Sequence, residues 1–546
     1  MSPSGRRLAK DLAWSYGPIA LATAIFLIMA ALVSPIDREQ QVLAAGTNQT
    51  QPGAPGQVVT TGPGGQNAPV QPGTTNPTVA NVAPGSYYVP PGGQACSDRA
   101  ARVPGDSYSP PCYVIAGSNG GATSRGVTEK DVVVSMRETE DFSLPELFAS
   151  LSGNEVNDSP DSVRETLRAL VDYFNERFQF WGRKIKLVFY KGEGAAFNEF
   201  LGGGKEKALA DASKSAKEVK AFADASSITI PYADALSQQR VINIGSPYPS
   251  RPWYERRAPY AWSTFTNGTA VVEAAADETK SRLRGRPASY AGGDLKGKPR
   301  KYAAVAPENA EYQESVNALL DRMEGSGMHV DVNLKYKIDV NSMPNQASNI
   351  IAQLKDRAIT SILCGCDPIM LSVGLAPKAN EQSYEPEWLT GGLAFVDQDI
   401  ISQLIDDRQW RHAFGIAYNA QSEPLGGSYA YAAYKSVRPN DEPAFGVEAY
   451  YAVLYLLALG VHMAGPNLTA QTFEQGLFNY PGGSGPYGSW HFGPGDHTTT
   501  DDFREVWWDP DRISPQNGKP GSWVQLNDGR RYLPGQVPSD DPPWFK

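Results

Sequence analysis

The residues that could do covalent chemistry are present but scattered. Gly202-Gly203-Gly204-Lys205 is a glycine run ending in lysine. A phosphate loop needs an earlier glycine where Glu199 stands, and a serine or threonine where Glu206 stands. Neither a Gly-x-Ser-x-Gly turn nor a His-Glu-x-x-His pair occurs. The five histidines are His329, His412, His462, His491 and His497, and only the last two are near each other, in HFGPGDH. Two imidazoles without further ligands do not make a zinc site, so no metal is expected. Asp509, Asp511 and Asn517 resemble part of a calcium loop, but the required glycine and closing glutamate are missing. No catalytic residue and no cofactor follow from the sequence. What it offers instead is hydroxyls and carboxylates in loops, which are suited to binding.

Charge and cysteine content narrow the classes further. With 49 basic and 59 acidic residues the net charge is −10, a repulsive field for a polyphosphate, so nucleic acid is not an expected partner. Four cysteines in 546 residues exclude a disulfide scaffold. Cys96 and Cys112 bracket a short Pro/Gly-rich loop. Outside the cytoplasm they are expected to pair, closing a loop worth about 3 kcal/mol. Cys364 and Cys366, in Cys-Gly-Cys after an apolar run, fit either buried thiols or a local disulfide. Buried thiols are the default expectation.

The elements that must hold such residues begin after a long preamble. Residues 17–33 are almost wholly apolar, with Arg6, Arg7 and Lys10 before them and Asp37, Arg38 and Glu39 after. The length suits a single crossing of a core of about 30 Å, and the basic flank places the rest of the chain outside. A cleaved signal peptide is the competing reading, with a small-residue site near residues 43–46. Residues 40–95 carry no charge and are rich in Gly, Pro, Thr, Gln and Asn. They are expected to form a disordered tether reaching about 40 Å.

From about residue 126 strand and helix signals alternate. Strands are expected at 132–136, 184–190 and 240–245, with helices at 162–178, 206–223 and 269–283. In the helix at 162–178, Val163, Leu167, Leu170, Val171, Phe174 and Phe178 share one face. After GGDLKGKPRK a second series starts at 301–307 and continues through 329–336, 360–364 and 387–392. Alternation of this kind implies parallel sheets with crossover helices. Residues 446–463 are apolar enough to span a membrane, but flanking Glu448 and the amphipathic stretch that follows predict a buried core helix. Short strand signals return in GSWHFG, REVWWDP and SWVQL.

Four stretches carry a resemblance: GVTEKDVVVSM, RALVDYFNERFQFWGRKIKLVFY, NAEYQESVNALLDRMEGSGMHVDVNLKY and GVEAYYAVLYLLALGVHMAGPNLTAQTFEQGL. Together, over residues 126–509, they resemble the type I periplasmic binding proteins, in particular the branched-chain amino acid and amide branch that serves ABC transporters. The resemblance implies an α/β chain with two doubly wound parallel-sheet lobes joined by a hinge. The expected divisions are 1–39 (transmembrane anchor), 40–95 (tether), 96–125 (disulfide-closed loop), 126–298 (lobe one), 299–440 (lobe two), 441–480 (return helices) and 481–546 (C-terminal extension).

Ligands of such folds sit at the carboxyl ends of the strands. Here those loops offer Ser226, Ser227, Thr229 and Thr264 in lobe one, and Tyr312, Asp367 and Asp397 in lobe two. Each is equally open to a structural role: loop hydroxyls make turns and caps, Tyr312 can pack, and Asp367 before Pro368 is a natural helix cap. Two departures from the family leave the ligand class open, the Ala-Asp-Ala-Ser-Ser loop and the insertion GEGAAFNEFLGGGKEKA. The expected function is capture of a small molecule for an ABC permease by a protein tethered to the cell membrane by a single pass, with no enzymatic step. The alternative is the same fold reused as a cell-envelope scaffold or sensor subunit.

Overall fold

The computed structural model describes residues 87–96, 103, 105–139, 158–339, 341–423 and 426–539. The apolar segment at 17–33 and the tether up to residue 86 lie outside them. The described chain opens with β1 (Gly93–Ala95) and β2 (Tyr113–Ile115), antiparallel. The disulfide Cys96–Cys112 ties them together, as the sequence leads one to expect. Tyr113 of β2 is buried against Trp181 and His462, which fastens this hairpin to the first lobe.

Lobe one begins with β3 (Asp131–Glu138), α1 (Pro160–Arg177), β4 (Lys184–Lys191), α2 (Lys205–Lys214), β5 (Ala223–Asp224), α3 (Ile230–Gln238), β6 (Ile242–Ile244) and β7 (Ala261–Trp262). Ser159 starts α1 by accepting from the Ser162 amide, with Pro160 at the first turn, where its missing N–H costs nothing. The predicted apolar stripe buries Leu167, Leu170, Val171 and Phe174. The helix expected over 206–223 is shorter. It passes into a wide turn at Ser215–Val219 and stops at Lys220, whose φ of 55° is left-handed and cannot continue a helix. All five strands are parallel in the order β4-β3-β5-β6-β7. The winding reverses between β3 and β5, so a crevice opens beyond their carboxyl ends.

The chain then crosses to lobe two through residues 263–267. The next helix, α4 (Gly268–Leu283), falls by sequence position in the expected span of lobe one. It packs instead on lobe two, where Val272, Ala276 and Leu283 join Tyr302, Ala304 and Leu319 in one apolar cluster. There follow β8 (Tyr302–Pro307), α5 (Ala310–Gly325), β9 (Val330–Tyr336), α6 (Met343–Asp356), β10 (Ser361–Cys364), β11 (Glu387–Thr390) and β12 (Ala413–Ala417). Their parallel order, β9-β8-β10-β11-β12, repeats that of lobe one. Cys364 and Cys366 are joined in a disulfide rather than being free thiols. The reason is geometric: their Cα atoms are 5.1 Å apart across Gly365 at the end of β10, within bridging range.

A second crossover returns the chain to lobe one as α7 (Tyr429–Val437), α8 (Val447–Ala464) and α9 (Ala470–Phe478). Although α8 is long and apolar enough to cross a membrane, Leu454, Leu456, Leu457 and Val461 are buried in the same core as Phe174 of α1. It is the core helix the sequence predicts. The short hairpin β13 (Gly483–Gly485) and β14 (Gly488–Trp490) precedes a third crossover. The segment expected to be an extension then supplies β15 (Phe503–Ile513), β16 (Pro520–Gln525) and β17 (Arg531–Tyr532). β15 pairs antiparallel with β12, so these strands complete the sheet of lobe two.

Candidate functional site

The carboxyl ends of β3, β5 and β6 carry a dense set of polar side chains. Ser226 accepts from the Arg137 amide at 2.8 Å and donates to Asp224 at 2.8 Å. Thr229 precedes α3 and donates to Glu199. Ser227 differs: it is fully buried and its hydroxyl has no hydrogen-bond partner among the described residues. Ser246, just past β6, is in the same state. The two loops are in contact through Gly245, at φ 147°, where a Cβ would lie 3.3 Å from the Ser227 carbonyl carbon. A larger residue there would force the loops apart.

Beside these hydroxyls a guanidinium is already committed. Arg137 forks onto Glu199 with two bonds of 2.8 Å and reaches Asp211 at 3.3 Å. Glu199 comes from the insertion after β4, so the departure from the family pattern supplies its own partner. The insertion also reaches across, because Leu201 packs on the core of lobe two.

In lobe two, Asp367 caps the helical turn after β10. Its Oδ1 accepts from the amides of Ile369 and Met370, and its Oδ2 accepts from the Tyr336 hydroxyl at 2.7 Å. Burial raises its pKa, opposed by those donors. Tyr312 is half-buried and packs against the same core, and burial raises the pKa of its hydroxyl. Asp397, past β11, is buried and accepts from the Asn419 amide at 3.1 Å and the Asn419 side chain at 2.8 Å. Asn419 in turn lies 3.5 Å from the hydroxyl of Tyr248, on the lobe-one loop that carries Ser246. Phe395 meets Tyr248 and Phe265 edge-on, with ring centroids 6.2 and 5.1 Å apart. These contacts bring Asp397 together with the Ser246 loop. Asp367 and Tyr312 are engaged within lobe two.

Two of the segments that cross between the lobes are held together by hydroxyls. Residues 263–267 and 497–500 run side by side with a parallel bridge between Ser263 and Thr498. Thr266 donates to the Thr500 carbonyl at 2.8 Å, and Thr499 donates to the carbonyl of half-buried Thr264 at 2.9 Å. Nearby, His491, Asp496 and Asp501 bring one ring nitrogen and two carboxylate oxygens within 4.8 Å of one another. Among the described residues this is the arrangement nearest to a metal-ligand set.

No protein-family model and no curated protein matches the sequence. Solved structures do. A leucine-, isoleucine-, valine-, threonine- and alanine-binding protein from Brucella ovis, in a closed conformation, superposes with TM-score 0.52 and 12% identity, covering 76% of this chain and 97% of its own. An ABC-transporter solute-binding protein from R. palustris in complex with 4-hydroxybenzoate gives 0.51 and 14%, over 76% and 99%. A substrate-binding protein from Aeropyrum pernix gives 0.51 and 13%, over 75% and 98%. The fold is that of the type I periplasmic binding proteins.

Several residues at these strand ends are ones that the sequence does not single out. Ser246 and Tyr248 stand in IGSPYPS directly after a predicted strand, so the strand-end rule pointed to them. Asn419 follows β12, whose AFGIA run gave no recognised strand signal. Phe395 and Phe265 carry no chemical signature, and only three-dimensional contact reveals them.

Proposed function

We propose that this chain is an extracytoplasmic solute-binding protein, tethered to the membrane by its N-terminal apolar segment, that captures a small polar molecule for an ABC permease. The ligand class is an amino acid, an amide or a short carboxylate. The observation that carries this reading is the pair of buried, unpartnered hydroxyls on Ser227 and Ser246. They sit at strand ends next to a loop whose Tyr248 touches lobe two. Buried polar groups in folded proteins nearly always have a partner, and a bound ligand is one way for these two hydroxyls to gain theirs. Ser226, Thr229, Thr264, Tyr312, Asp367 and Asp397 surround or support that cleft in this proposal. Structures of the same fold in complex with 4-hydroxybenzoate support a small-molecule role.

Isothermal titration of the full chain against amino acids, amides and short carboxylates, with solution scattering before and after, tests the proposal. Binding accompanied by a smaller radius of gyration supports it, and no binding with an unchanged scattering curve overturns it. Affinity capture from membranes separates delivery from scaffolding. A permease as the main partner supports delivery, and a cell-envelope complex supports the scaffold.

A further inference from the structure

Four arginines are buried among the described residues: Arg137, Arg183, Arg282 and Arg504. Three are saturated. Arg137 forks onto Glu199. Arg183 donates to the carbonyls of Thr128, Pro466 and Gly121, and Arg282 forks onto Glu505 with two bonds of 2.7 Å. Arg504 is the exception. At 3% exposure, its Nε is sealed and unpartnered, and no hydrogen bond or ion pair engages the rest of its guanidinium among the described residues.

Its position is at the cleft end of lobe two. Arg504, the second residue of β15, pairs with Ala417, the last residue of β12, and two residues beyond Ala417 Asn419 makes the contact with Tyr248. Three charged groups act on it: Asp397 and Asp399 with opposite charge, and Arg531 with like charge. Both aspartates take their hydrogen bonds elsewhere, Asp397 from Asn419 and Asp399 from Ser514 and the Trp523 amide. Arg531 is held by Asp502 and the Tyr418 carbonyl. Opposite charge therefore stands near Arg504, while its buried Nε–H lacks an acceptor among the described residues. Burial pushes the guanidinium down to about 10, against the pull of Asp397. An arginine fork matches a planar pair of oxygens better than a single acceptor.

We infer that Arg504 is the anion anchor of the cleft, forking onto a carboxylate of the bound solute. The inference deepens the solute-binding reading and rests on it, since it singles out carboxylates within the proposed class.

The test uses the full chain, Arg504→Met and Arg504→Lys, with formate as the minimal carboxylate probe. In wild type, formate raises the melting temperature by roughly 3 °C or more over chloride at equal ionic strength. Arg504→Met loses that gain and binds 4-hydroxybenzoate or leucine, whichever wild type takes, at least about tenfold more weakly. Arg504→Lys keeps the charge but not the fork, so its formate gain shrinks, which keeps the test open should the Met variant fail to fold. No formate gain in wild type, or an equal gain in the folded variants, overturns the anchor. A formate gain that depends on Arg504 in a protein that takes up no solute overturns the delivery reading instead and leaves the anchor standing.

Discussion

Asn419 of lobe two points its side-chain amide at the Tyr248 hydroxyl of lobe one, 3.5 Å away, while the same nitrogen donates to Asp397 at 2.8 Å. One side chain thus serves a buried carboxylate and the opposite lobe together. The two roles have separable costs. Asn419→Ala strips Asp397 of its only side-chain donor among the described residues and should lower stability by about 1–3 kcal/mol in denaturant unfolding. Tyr248→Phe removes the long contact with Asn419 and the hydroxyl's bond to the Phe395 backbone, both to lobe two. It should cost about 0.5–1.5 kcal/mol and show in scattering as a more open average form.

Ser227 and Ser246 should behave unlike their neighbour Ser226. Neither of the first two hydroxyls has a partner among the described residues, so Ser227→Ala and Ser246→Ala should leave the melting temperature of the unliganded protein unchanged or raised. Each should weaken solute binding by about 0.5–1.5 kcal/mol, read by titration calorimetry. Ser226→Ala removes bonds to the Arg137 amide and to Asp224, and should cost about 1–2 kcal/mol of stability.

These contrasts show what the sequence could and could not reveal. The parallel strands were legible because burial on both faces gives continuous apolar runs such as YAAVAP and SILC. The core helix α8 was legible because its flanks and length fit a buried helix. Arg137, by contrast, reads as an ordinary arginine in a strand, and its partner Glu199 lies in an insertion with no periodicity. Arg504 is adjacent in sequence to Glu505, yet on a strand the two point to opposite faces, and only one finds an arginine or acid to match. The polar network depends on pairing between residues far apart in sequence, which local patterns do not encode.

The hydroxyl-laced crossovers give a third prediction. Thr266→Val and Thr499→Val remove bonds to the Thr500 and Thr264 carbonyls while nearly preserving shape. Each should cost about 1 kcal/mol, and the double variant should cost less than the sum, because both bonds join the same two segments. Double-mutant unfolding curves measure that coupling. A strict sum would show that the two crossovers do not move as one unit.

The last prediction concerns Glu278 on α4, a carboxyl that is buried and has an unpartnered oxygen. Burial, then the nearby Glu505 charge, pushes its pKa well above the ordinary 4.5, against the pull of Arg282 and Arg300. Arg282 and Arg300 do not relieve it, because each is forked onto another acid, Glu505 and Glu387 respectively. The folded state therefore holds a proton that the unfolded chain releases above about 4.5. The stability linked to that proton is complete below 4.5 and is lost as pH rises toward the folded value. Glu278→Gln fixes the neutral form, so the variant and wild type should melt alike at acid pH. As pH rises, the wild-type curve should fall progressively below that of the variant. Melting temperatures taken in steps from acid to alkaline pH check this, and a gap that stays constant across the series would mean that Glu278 is ionised in the fold.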